Sequence, residues 1–93
     1  MAKRVDNNQT EIVRTLRAVG AFVQSLATVG KGVADLLVAF RGSWYVIEVK
    51  NPQARGKLRP GQVEWWEEAE RVGQVSRIVV ESSEDALKVI GAI

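Results

Sequence analysis

Residues 33–40, "VADLLVAF", and residues 44–49, "WYVIEV", are two apolar runs separated only by Arg41, Gly42 and Ser43, and no other feature restricts the fold as strongly. Runs this short, rich in Val, Ile, Tyr and Trp, read as strands. A three-residue connection holding a glycine that can take positive φ joins them as an antiparallel hairpin. Three charged residues fall in or beside these strands: Asp35, Glu48 and Lys50. Strand alternation puts Trp44, Val46 and Glu48 on one face and Tyr45, Ile47 and Val49 on the other, with Lys50 on the side of Glu48. Counting outward from Gly42 pairs position 35 with about 49, which brings Asp35 close to Glu48.

The other elements are arranged around this hairpin. "DNNQTEIVRTLRAVG" places Glu11 three residues after Asn8, the spacing of a capping box with Asn in place of Ser or Thr. Ile12, Leu16 and Val19 follow at helical spacing until Gly20, so this is the first helix. "AFVQS" predicts a short strand. "NPQARGKLRPG" reads as an exposed basic loop broken by Pro52, Gly56, Pro60 and Gly61. A second helix runs from Pro60 to Gly73, and "QVSRIVV" alternates like a strand near the middle of a sheet. Ser82, with Asp85 three residues on, caps a third helix. The order α-β-β-β-α-β-α predicts an α/β fold, a mixed sheet flanked by helices, because the hairpin is antiparallel and the crossover through the second helix favours a parallel partner.

The 93 residues suit one domain, taken as 1–93, with a single modest core. There is no cysteine and no histidine. That excludes thiol chemistry, structural zinc, imidazole catalysis and serine–histidine triads, and leaves carboxylates, amines, guanidinium groups, hydroxyls or a bound metal. No apolar run is long enough for a membrane span and the N-terminus lacks the apolar stretch of a secretory signal, so a cytoplasmic protein is expected. Net charge is only +2, yet Lys50, Arg55, Lys57 and Arg59 cluster, while Glu64, Glu67, Glu68 and Glu70 gather on the second helix. The first group, with Lys31, supplies candidates for phosphate contact: Lys31, Arg55, Lys57 and Arg59 can neutralise a backbone without reading sequence, or they simply keep a loop soluble.

Two carboxylates as close as Asp35 and Glu48 repel, and in a partly apolar site each is costly to keep ionised. A divalent cation removes the conflict. Oxygen ligands without His or Cys favour Mg²⁺ or Mn²⁺, and such an ion, with Lys50 beside it, suits phosphodiester hydrolysis. The residues alone equally admit an Asp35–Lys50 ion pair at a strand end with Glu48 facing solvent.

"GVADLLV" followed by "WYVIEVK" resembles the signature of the PD-(D/E)XK nuclease superfamily, with Asp35 and then Glu48-Val49-Lys50 as its E-x-K element and Ala34 where many members have Pro. The short length, the helix-one Glu, "G-x-A-D-L", "E-V-K" and "L-R-P-G-Q-x-x-W" resemble more narrowly the VRR-Nuc family, including its stand-alone, virus-type members. The resemblance covers nearly the whole chain. It implies a restriction-endonuclease-like fold in which Asp35, Glu48 and the carbonyl of Val49 ligate Mg²⁺ or Mn²⁺, Lys50 is the catalytic lysine, Glu11 adds an acid to the metal site and Gln62 contacts the site or the DNA. From the residues alone, Glu11 is equally a helix-cap acid and Gln62 a surface residue at a helix start.

Trp65 and Trp66 are adjacent on the second helix and point about 100° apart, so one is expected in the core and the other partly exposed or at an interface. The resemblance implies a homodimer acting on branched DNA, arranged like Holliday junction resolvases, in the cytoplasm of a phage or bacterial host. A flap or nicking nuclease of the same fold, a non-catalytic nucleic-acid-binding module and a purely structural domain are the rival expectations.

Overall fold

The computed structural model describes residues 7–52 and 58–93. Its elements are α1 (Asn7–Ala18), β1 (Phe22–Ser25), β2 (Leu36–Phe40), β3 (Ser43–Val49), α2 (Pro60–Gly73), β4 (Val79–Val80) and α3 (Ser83–Val89). The expected α/β order is therefore the observed one. The four strands form one mixed sheet in the order β1-β2-β3-β4, antiparallel except for the parallel β3–β4 pair.

The hairpin is tighter than its sequence suggests. Phe40 pairs with Ser43, so the turn is only Arg41-Gly42, with φ of 49° and 85°. Two central residues at positive φ make the turn whose twist matches that of the strands. Each pair in this hairpin sums to the same register, Leu36 opposite Ile47, which continues to Asp35 opposite Glu48 rather than 49.

Leu36, Val38 and Phe40 from β2, Ile47 and Val49 from β3, Val23 and Val80 pack on one side of the sheet against Ile12 and Leu16 of α1 and Ala86 and Ile90 at α3. Burying each of the larger side chains contributes roughly 1.5–3 kcal/mol before entropy is charged against it. Ser82 caps α3 as expected, its Oγ accepting from the Asp85 N–H at 3.1 Å. Among the described residues, the opposite side of the sheet receives only α2, over its Glu48 end.

The last strand departs from expectation. Only Val79 and Val80 pair, and β4 is an edge strand beside β3, not a central one. Arg77 is held elsewhere, its guanidinium donating to both carboxylate oxygens of Glu70 on α2 at 2.9 and 3.2 Å. Alternation in 74–80 thus records a connection half tied to a helix, with pairing confined to its final two residues.

Candidate active site

The site forms where the C-terminal end of β3 meets the N-terminal turns of α2. Glu48 is completely buried and Lys50 is 9% exposed. Asp35 lies just before β2, and its Oδ2 accepts from the Val49 N–H at 2.7 Å. The same alternation that pairs the backbone of Glu48 and Lys50 with β4 turns the amide and carbonyl of Val49 toward Asp35. Asp35, Glu48, Val49 and Lys50 are thereby assembled by one register.

α2 supplies the partners that hold these charges. Gln62 donates from Nε2 to Glu48 Oε2 at 2.9 Å, and its Oε1 accepts from Lys50 Nζ at 2.7 Å and from the Arg59 N–H at 2.9 Å. One turn later Trp66 donates from Nε1 to Glu48 Oε1 at 3.2 Å. Lys50 Nζ also stands 3.9 Å from Glu48 Oε2. Glu48 therefore does not face solvent, and the ammonium pairs with Glu48, not Asp35. The simple strand-end ion pair is not what forms.

Burial, then the hydrogen bond and charge of the adjacent Asp35, push the Glu48 carboxyl up to about 8, against the lowering effects of the Trp66 N–H and the Lys50 ammonium. Protonation of Glu48 or a bound cation would each relieve the repulsion between the two carboxyl groups. Asp35, Glu48 and the Val49 carbonyl offer only hard oxygens, a donor chemistry that would suit Mg²⁺ or Mn²⁺.

Glu11 does not join them. Among the described residues no group of three or more His, Cys, Asp or Glu side chains converges, and Glu11 is exposed on α1. The residue of α1 that reaches the strand ends is Asn8, whose Nδ2 donates to the carbonyls of Lys50 at 2.8 Å and Glu81 at 3.4 Å. The expected capping box fails because α1 already includes Asn7, so Asn8 sits inside the first turn and Glu11 stands about 4.5 Å further along the axis. Asn8 had a sequence signal, but one that pointed to a cap.

Trp66 is the other residue that sequence reasoning missed in this role. It was expected only as core or interface; it is 2% exposed and edge-to-face with Trp65, ring centroids 5.0 Å apart. Its place four residues after Gln62, on the same helical face, was the available signal.

The candidate phosphate contacts divide. Arg59 is exposed immediately before α2, at the mouth of the site. Lys31 is exposed too, but it lines an open cleft of about 1090 Å³ with Glu64, Glu67, Glu68 and Glu70 of α2. That acidic surroundings opposes its assignment to a phosphate backbone. Arg55 and Lys57 lie outside the described residues. The cleft sits on the other flank of α2 from Gln62 and Trp66 and does not open over the carboxylates.

Gly32 fixes the approach of α2. Its φ is +79°, and a Cβ there would lie 2.3 Å from the carbonyl oxygen of Gly61. Backbone rests on backbone at this point, which only glycine permits.

Compared with known proteins, the chain matches no family model, no curated protein and no solved structure.

Proposed function

We propose that this chain is a Mg²⁺- or Mn²⁺-dependent endodeoxyribonuclease of the VRR-Nuc type within the PD-(D/E)XK superfamily, cutting branched DNA such as four-way junctions as a homodimer. The observation that carries the reading is the fully buried Glu48, with Lys50 beside it and the half-buried Asp35 on the neighbouring strand end, braced from α2 by Gln62. Asp35, Glu48 and the Val49 carbonyl hold the ion. When bound, it supplies charge stabilisation at the scissile phosphate and a water of lowered pKa. Lys50, steered by Gln62, places its ammonium where negative charge builds on the phosphate. Arg59 contributes a backbone contact to DNA.

The homodimer is supported by the side of the sheet that α2 leaves open. Phe22, Ala39 and Trp44 are neighbours across three strands, and the Phe22 and Trp44 rings meet edge-to-face at 6.3 Å while 54% and 66% exposed. Leu37 and Val46 extend the same row toward Glu48. An apolar sheet face of this kind marks a contact surface, and a two-fold pairing would give two active sites for two strands. The interface aromatic is then Trp44, in place of the expected member of the Trp65–Trp66 pair.

The test is cleavage of labelled four-way junction, flap and linear duplex of matched sequence with Mg²⁺, Mn²⁺ or EDTA, alongside Lys50→Ala. Symmetric, metal-dependent cuts at the junction that vanish in the variant are expected. Flap or duplex cleavage would keep the active site and discard the junction preference. Binding without cutting under any metal would overturn the enzyme.

A further inference from the structure

Lys50 sits where two parallel strands part, one residue beyond the last pair of their ladder, Val49 with Val80. Its N–H donates to the Val80 carbonyl at 2.9 Å. Its own carbonyl is taken by α1, because Asn8 Nδ2 donates to it at 2.8 Å and reaches the Glu81 carbonyl at 3.4 Å. One side-chain amide thus ties the exits of β3 and β4 together, where a longer ladder would set its next rung. Asn8 Oδ1 is buried without a hydrogen-bond partner among the described residues. What this side chain holds, it holds through its nitrogen.

The Lys50 ammonium ends a flexible four-carbon stem, so its direction is set at the tip, where Gln62 Oε1 accepts from it at 2.7 Å, and at the backbone from which the stem departs. With both N–H and carbonyl held, the Cα of Lys50 is fixed. With the carbonyl free, the chain leaving β3 swings and carries the Cα–Cβ bond with it, and a small rotation there is amplified along the stem. We propose that Asn8 is a positioning residue that aims the Lys50 ammonium at the scissile phosphate by fixing the Lys50 carbonyl. This rests on the reading of Lys50 as the catalytic lysine. It gives α1 a part in the site through an amide, where its expected acid, Glu11, stays exposed.

The experiment compares the full wild-type chain with Asn8→Leu, which keeps the bulk and loses the donor, and with Thr15→Val, which breaks a bond of α1 elsewhere, from Thr15 Oγ1 to Ser83 Oγ at 3.1 Å. Acetylation in EDTA at one pH, read lysine by lysine by mass spectrometry, reports on Lys50 without requiring cleavage. Wild-type Lys50 is expected to label far more slowly than the exposed Lys88. Asn8→Leu should raise the Lys50 rate severalfold, and Thr15→Val should leave it unchanged. On whichever labelled DNA the wild type cuts, Asn8→Leu at saturating protein should cut about 10- to 100-fold more slowly with an unchanged Kd for that DNA. Combined with Gln62→Ala, the two losses should fall short of their product by about threefold or more, because both act on one ammonium. Unchanged Lys50 labelling in Asn8→Leu, an equal rise in Thr15→Val, or losses that simply multiply would each overturn the inference and leave the nuclease standing. A wild type that cuts no DNA would overturn the nuclease reading, while the labelling still decides whether Asn8 holds Lys50. Should Asn8→Leu fail to fold, Asn8→Asp takes its place, since a carboxylate suits the first turn of a helix and cannot donate.

Discussion

Glu48→Gln in EDTA separates the charge on this carboxyl from its shape. The folded protein keeps the Glu48 proton to about pH 8, whereas the unfolded chain gives it up near the ordinary value of 4.5. Between those values the folded state binds more protons, so stability falls as pH rises through that window. The interval of about 3.5 pH units corresponds to at most about 5 kcal/mol. Relaxation and water entry reduce this, and a loss of about 2–3 kcal/mol between pH 5 and 8.5 is expected of the wild type. For a domain of this size that is roughly 10–20 °C in Tm. Glutamine removes the titration but offers one oxygen where Glu48 has two, so either Trp66 or Gln62 loses an acceptor, at a pH-independent cost of about 1–3 kcal/mol. The readout is therefore slope, not level. Urea unfolding in EDTA at half-unit steps from pH 5 to 8.5 should give a falling wild-type curve and a flat variant curve that converge or cross. The chain has no histidine or cysteine, the side chains whose ordinary pKa values lie nearest this window. Parallel curves would refute the reasoning.

Three further outcomes are expected. Gly32→Ala forces a Cβ against the Gly61 carbonyl at positive φ, and should cost about 2–4 kcal/mol in denaturant unfolding; a change under 0.5 kcal/mol would show that the loop and α2 are not held there. Mn²⁺ at one hundred times its Kd should raise wild-type stability by about 2.7 kcal/mol and leave Asp35→Ala unchanged in thermal melts; equal gains in both proteins would place the ion elsewhere. Trp44→Ser should shift the species seen by light scattering from dimer to monomer with Tm of the monomer held within a few degrees, and an unaltered mass would remove Trp44 from the interface.

Period-two alternation made the heart of the site legible, since Glu48 and Lys50 share a face whatever else the chain does. The pairing partner of Asp35 was off by one. The three residues Arg41 to Ser43 read as loop, yet Ser43 belongs to β3 and only Arg41 and Gly42 turn. Helix two was readable to its ends because Pro60 and Gly73 bound it. Asn8 was misjudged because a cap and a first-turn residue look alike in sequence and differ only in where the helix begins. The place of β4 was not legible. Val75 to Val80 alternate through and through, but pairing depends on which strand edge is free and on the Glu70 carboxylate that captures Arg77, and neither is local information. Trp66 was hidden by its own apolarity, which suggests core before it suggests a donor.

α2 contributes none of the residues of the main core cluster among those described. It is seated by the buried Trp66 ring, by polar contacts with Glu48, Lys50 and Arg77, and by the backbone of Gly61 against Gly32. The sheet with α1 and α3 is thus one cooperative unit and α2 a second, less costly to open. Amide exchange should divide the chain along that line, residues 60–73 opening without global unfolding. Whatever tightens the contacts of Glu48 with Gln62 and Trp66 then also fastens the helix.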